Sequence, residues 1–246
     1  MAVQLINFIK LEVTGMNNLT TLLQKIKENP VMYIDKPSIT CLHSFLIGYI
    51  DGLITLGFTT INSCGMEGFQ EWIQERAKTN TTQSWAGIIL SYSGSERAAF
   101  NKFFEEFEQF LKQKDDSKTQ KSEDISKLSE NMSFPRFDIY KEIPSNIKKR
   151  PGMFLGANSI TRLDMLLRGY SLARREVGVP PTEPEREFAG FQSWVEEKYG
   201  INSGQSWSKI ILFYSVDEPE ALQKFFELFE EYLNRNKSLE VDENSG

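Results

Sequence analysis

Cys41 and His43 stand two residues apart in a 246-residue chain whose only histidine is His43 and whose only other cysteine is Cys64. A thiol and an imidazole at that spacing could ligate a metal, or the imidazole could activate the thiol as a nucleophile. A structural zinc site needs about four ligands, and this stretch offers two. A second group that could do acid–base work is the acids Glu105, Glu106 and Glu108, with Glu227, Glu230 and Glu231 downstream. Each set interleaves with phenylalanines at helical spacing, so we expect a solvated helix face. A third group is aromatic: Trp72, Trp85, Trp194 and Trp207, with Tyr49 and Tyr170, could line a groove for a ligand. Their alternative reading is as core anchors. The fourth group is basic. Lys148, Lys149, Arg150, Arg162, Arg168, Arg174 and Arg175 could receive an anion.

These groups can be weighed because the sequence repeats itself. Pro30-Val31-Met32-Tyr33-Ile34, followed by Ser38-Ile39-Thr40, Leu42, Leu46, Gly48 and Tyr49, is answered by Pro151-Gly152-Met153-Phe154-Leu155, Ser159-Ile160-Thr161, Leu163, Leu167, Gly169 and Tyr170 at identical spacing. Gly68-Phe69-Gln70-x-Trp72 and Gln83-Ser84-Trp85 are answered by Gly190-Phe191-Gln192-x-Trp194 and Gln205-Ser206-Trp207. The Phe-rich stretch from Phe103 to Leu111 is answered by Phe225 to Leu233. A period this long is a whole domain rather than a solenoid unit. Chemistry common to both copies must survive in both. The cysteines and His43 do not, since Arg162 matches Cys41 and Asp164 matches His43. The basic cluster belongs to the second copy alone, with Lys27 matching only Lys148. No catalytic set is shared, so we expect no enzyme, no cofactor and no metal.

The elements that must position these residues read as helices. Leu42, Phe45, Leu46, Tyr49 and Leu53 follow i, i+3, i+4, i+7 spacing, as do Leu163, Leu166, Leu167 and Tyr170. Ser38, Ser159, Ser84, Ser206, Ser95 and Asp217 stand where N-caps belong. Gly48 and Gly169 interrupt long apolar helices, and a mid-helix glycine marks close packing, so we expect helix-crossing points. The expected fold is mainly α: two tandem copies of a small helical domain of four to five helices each. A short strand at 86–92 and 208–214 is the alternative, because a short apolar run is ambiguous. The Pro-x-Met-aromatic motif reads as a loop packing Met and an aromatic under the next helix. The divergent stretches Asp51–Glu67 and Ser171–Ala189 read as surface loops.

Expected boundaries are an N-terminal extension at 1–17, the first domain at 18–112, a flexible charged linker at 113–136, the second domain at 137–235 and a tail at 236–246. The linker stretch is rich in Lys, Asp, Glu and Ser, with too little apolar surface to offset its ordering entropy. The hydrophobic fraction of 40% and charged fraction of 25% are those of ordinary soluble domains. A net charge of −6 gives no basic footprint, which argues against a nucleic-acid partner. No apolar run reaches the roughly 18 residues that span a bilayer, so no membrane role is expected. Two unmatched cysteines fit a reducing, cytoplasmic setting.

Two resemblances bear on function. Arg150-Pro151-Gly152-Met153-Phe154-Leu155-Gly156 resembles a motif of type II topoisomerase ATPase domains, in which the following helix carries a Glu and an Asn one turn apart. Leu163–Arg175 has no such pair, neither copy has the Asp-x-Gly-x-Gly nucleotide loop, and the first copy has Asn29 and Val31 for Arg150 and Gly152. ATP hydrolysis is not expected. The whole repeat resembles small bacterial proteins of immunity type found near polymorphic toxin genes. That resemblance implies a non-catalytic protein-interaction module that binds and occludes a partner toxin. The alternative is a small-ligand-binding regulatory module using the Trp/Tyr face. Binding positions expected on these grounds are Tyr49, Trp72, Trp85, Tyr170, Trp194, Trp207, Arg168, Arg174 and Arg175.

Overall fold

A computed structural model describes residues 19–57, 65–117 and 138–235. The expected extension at 1–17, most of the linker and the tail lie outside the described residues, as do 58–64. The fold is mainly helical, with no strand among the described residues. The helices are α1 (19–28), α2 (Val31–Ile34), α3 (Ile39–Thr55), α4 (Phe69–Arg76), α5 (Trp85–Ser93), α6 (Glu96–Ser117), α7 (Ile139–Glu142), α8 (Pro151–Leu155), α9 (Ile160–Glu176), α10 (Glu183–Ala189), α11 (Phe191–Tyr199), α12 (Trp207–Phe213) and α13 (Glu218–Asn234). A π-helical stretch, Ile143–Ile147, continues α7 and contains Pro144, whose missing N–H disturbs the regular α ladder. None of the described helices is long and apolar enough to cross a membrane.

The strand alternative is overturned. Ser84 and Ser206 accept hydrogen bonds from the N–H groups of Gly87 and Lys209, which starts a helix at each Trp. The surface-loop reading of the divergent stretches is also corrected. α3 continues to Thr55 and α9 to Glu176, and residues 183–189 form α10. Thr182 caps α10 through the Glu185 N–H, Pro184 sits in its first turn, and Glu183 and Glu185 suit its positive end. Those signals stood in the sequence, masked by the prolines around them. α6 runs through Ser117, past the expected domain boundary.

The repeated motifs have structural explanations that neither half reveals alone. Glu96, the first residue of α6, reaches back to the start of α3. Its carboxylate accepts from Ser38 Oγ at 2.7 Å, Thr40 N at 3.0 Å and Thr40 Oγ1 at 2.7 Å. Glu218 of α13 makes the same three contacts with Ser159 and Thr161 at 2.7, 3.0 and 2.6 Å. Each Glu suits the positive start of its own helix and also satisfies orphan donors of another helix. Gln70 accepts from Trp85 N at 2.6 Å and donates to the Gln83 carbonyl at 3.1 Å, and Gln192 does the same with Trp207 and Gln205 at 2.6 and 2.9 Å. The Phe-Gln-x-Trp motif is thus a clamp on the Gln-Ser-Trp helix start.

α3 and α9 form the most extensive helix contact of the fold. A Cβ on Gly48 would lie 1.9 Å from the Leu166 carbonyl oxygen, and one on Gly169 would lie 2.0 Å from that of Phe45. Farther along, a Cβ on Gly52 would meet Ala173 Cβ at 2.9 Å and the Tyr170 carbonyl at 3.0 Å. The helices therefore run alongside each other in the same sense. Small residues four apart on each, Gly48/Gly52 and Gly169/Ala173, let the backbones touch. The expected crossing points are real, and they join the two halves of the chain. Met165 and Ala173 of α9 complete the core around α3, while Ile47 of α3 packs on the core around α9.

Two expectations about side chains fail. Met32 and Met153 do not tuck under the next helix: each sits on a one-turn helix that buries Ile34 or Leu155 instead, leaving the methionines 77% and 66% exposed. Glu106 is not on a solvated face. It is 3% exposed, with Arg76 at 2.8 Å and Lys102 at 3.4 Å. Its matching position is Leu228, which points the same way into the core.

Candidate functional site: a cleft between α2 and α9

A cleft of about 310 Å³ opens where the short helix α2 faces α9 and α12. Met32 and Tyr33 form one wall, Leu167, Arg168, Ser171, Leu172 and Arg175 of α9 the floor, and Tyr140, Phe188 and Trp207 the far side. Asp164 lies at its base, 3% exposed. A carboxylate that deep must be fully partnered. Arg168 grips it with two parallel bonds of 2.9 Å, and Ser208 Oγ donates a third at 2.5 Å. Burial works against the Arg168 charge, but Asp164, with Asp35 behind it, outweighs burial and raises its pKa.

Asp35 closes the rim from the other half of the chain. Its carboxylate lies 3.0 Å from Lys209 Nζ and 3.7 Å from Arg168 Nη1. Its φ of 69° is a conformation that side-chain-bearing residues seldom adopt. The matching position holds Gly156 with φ 71°, where no Cβ is strained. The first half thus accepts backbone strain of order 1 kcal/mol to keep a carboxylate there.

Behind the floor runs a hydrogen-bond chain. Tyr140 OH and Ser171 Oγ are 2.6 Å apart, and Ser171 donates to Glu185 at 3.0 Å. Arg174 pairs with Glu185 at 3.3 Å, donates to the Pro180 carbonyl at 3.0 Å and lies over the Tyr170 ring. Burial raises the Tyr140 pKa, so its hydroxyl keeps its proton at neutral pH.

Of the positions expected from sequence, Arg168, Arg175 and Trp207 meet in this cleft, and Arg174 supports it from behind. The others are elsewhere. Tyr49 and Tyr170 are fully buried, and Tyr49 OH donates to Glu176 at 2.7 Å across the two halves. Trp72 stacks on Phe69 and Trp194 on Phe191, while Trp85 packs against Phe69, Phe103 and His43. These rings close aromatic cores rather than line one groove, because each meets the buried Phe of its own Phe-Gln-x-Trp motif or its neighbour. His43, pressed against Trp85, has its pKa pushed down to about 4 by burial and then by Arg162. Cys41 is a buried free thiol whose pKa burial pushes up, so it is no activated nucleophile.

Asp35, Tyr140, Asp164 and Ser171 were missed as site residues. The available signal was mismatch rather than identity. Where the cleft has Asp164, Arg168, Ser171 and Arg175, the matching positions of α3 carry His43, Ile47, Ile50 and Ile54. Comparison with protein-family models, with curated proteins and with solved structures finds no match to the chain.

Proposed function

We propose that the chain is two tandem copies of one helical unit, fused across the α3–α9 contact, and that it acts as a non-catalytic protein-interaction module. On the resemblance to immunity-type bacterial proteins, the partner is a toxin that is bound and occluded in the cytoplasm. The observation that carries the reading is how the repeated residues divide. Ser-Ile-Thr, Gln, Trp, Gly and Phe are spent on internal clamps and packing. Met32 and Met153, also repeated, are exposed, as are Tyr92 and Tyr214. Val31, Phe213 and Val216 add to the apolar surface, the last two 79% and 90% exposed. On this reading these exposed side chains form the contact surface, and Met suits one because it adapts its shape.

Co-expression with the product of the adjacent gene tests this reading. The two proteins co-purify, and Met32→Glu with Met153→Glu abolishes the complex without lowering the melting temperature. No association at micromolar concentration removes the immunity-type reading.

A further inference from the structure

The two copies supply an internal control. If they descend from one unit, the α2–α9 cleft has a counterpart beside Met153, made by α8 and α3. The scaffold is alike there: Met153 for Met32, Phe154 for Tyr33, Trp85 for Trp207. Its polar groups are not, since isoleucines replace Arg168, Ser171 and Arg175, and Gly156 replaces Asp35. Arg168, Ser171, Arg175 and Asp35 are not required by the packing, because the matching positions hold isoleucines and a glycine. They also carry costs, a buried Asp164 and a strained Asp35.

Charge indicates what the cleft receives. Arg168 and Arg175 line it with Asp164, and the Asp35–Lys209 pair lies beside Arg168, in a chain of net charge −6. Arg168 and Lys209 are committed to those acids. Arg175 is exposed and has no ion-pair partner among the described residues. One uncommitted guanidinium suits a planar carboxylate, which it binds through two parallel bonds. Arg175 lies in the last turn of α9, at the negative end of the helix dipole, which opposes a phosphate dianion more than the single charge of a carboxylate. Around it the walls are apolar: Met32, Tyr33, Leu172 and Trp207. One turn beyond Lys209 on α12, Phe213 is exposed.

We propose that this cleft binds an acidic side chain carried on an apolar peptide segment of the partner protein, with Arg175 receiving the carboxylate and Met32, Tyr33 and Leu172 the flanking apolar groups. The proposal rests on the interaction reading and names the partner's chemistry. Its test is a titration of the full-length chain, labelled at the methionine methyls, with acetyl-Ala-Leu-Glu-Leu-Ala-amide, its Gln and Lys counterparts, and inorganic phosphate. The Glu peptide shifts the Met32 methyl saturably at millimolar concentration and leaves Met153 unmoved, while the Gln and Lys peptides and phosphate move neither methyl. Arg175→Gln, at an exposed position, weakens the Glu peptide at least fivefold and leaves the melting temperature unchanged. Equal shifts at Met32 and Met153, equal binding of the Gln or Lys peptide, a saturable phosphate response, or indifference to Arg175→Gln each overturn it. Co-purification separates the two readings. If the methionine pair is needed and Arg175 is not, the carboxylate proposal falls and the interaction reading stands.

Discussion

Gly48→Ala puts the closest contact of the fold to the test. In an exposed helix interior, Gly→Ala stabilises by about 1 kcal/mol through backbone entropy. Here the new methyl would sit 1.9 Å from the Leu166 carbonyl oxygen, where a relaxed C···O contact is about 3.3 Å. The obstacle is backbone of a packed helix, so α3 and α9 must part by about 1.4 Å. A gap of that size forfeits roughly half of the dispersion energy along the shared seam, and overpacking of this kind costs about 1–3 kcal/mol or more. After the propensity gain, we expect a net loss of about 2 kcal/mol, or a fall in melting temperature of about 4–8 °C for a chain of this size. Gly169→Ala, 2.0 Å from the Phe45 carbonyl, does the same. The double variant is less than additive by at least about 1 kcal/mol, because one methyl has already opened the crossing. Gly87→Ala is the control. It lies in the first turn of α5, its methyl would meet Gln83 Cβ at an ordinary 3.5 Å, and the matching position carries Lys209. That variant gains up to about 1 kcal/mol. Urea denaturation of the four proteins decides the matter. If Gly48→Ala is neutral, or stabilises as Gly87→Ala does, the two helices do not cross at these glycines.

Glu96→Ala leaves Ser38 Oγ and the Thr40 N–H and hydroxyl without their acceptor and costs about 2 kcal/mol, read by thermal melting. Burial opposes ionisation of Glu96, but its three hydrogen bonds prevail and lower its pKa. That stability is present above the ordinary carboxylate pKa and is lost on acidification through the lowered one, so the variant and the parent converge at low pH. Burial pushes the Asp51 carboxyl from 3.8 up to about 6, so its favourable contribution is complete below 3.8 and lost as pH rises through 6. Asp51→Asn therefore stabilises at pH 7 by up to about 3 kcal/mol and by nothing at pH 3.5. His43 runs the other way: its lowered pKa removes stability as pH falls from 6.5 to about 4, a slope that Asp51 partly cancels and that steepens in the Asn variant. Glu106→Leu, which copies Leu228, is neutral or stabilising in denaturant, since it removes the one buried charge of the three while Arg76 and Lys102, 46% and 36% exposed, stay hydrated. A loss above 2 kcal/mol would assign Glu106 a structural role that Leu228 does not share.

The sequence alone determined what depends on near neighbours. Helical spacing, the serine and aspartate caps and the mid-helix glycines are local signals, because a cap bonds an N–H two or three residues on and an amphipathic stripe repeats every turn. α10 was legible by the same rules in Thr182, Glu183, Pro184 and Glu185, though the neighbouring prolines outweighed them. Repetition also removed His43 and the cysteines from the shared chemistry. What tertiary structure decided is every partner distant along the chain. Glu96 belongs to Ser38 and Thr40, Gln70 to Trp85, Gly48 to Leu166 and Tyr49 to Glu176, pairings that no local pattern encodes. The cleft follows from those pairings. Arg168, Arg175 and Trp207 looked like members of separate groups, and the α3–α9 contact sets them opposite Met32 and Asp35 of the other half. Identity between the matching motifs pointed to what holds the fold together; the residues that differ across the seam mark where the two halves of the chain are not alike.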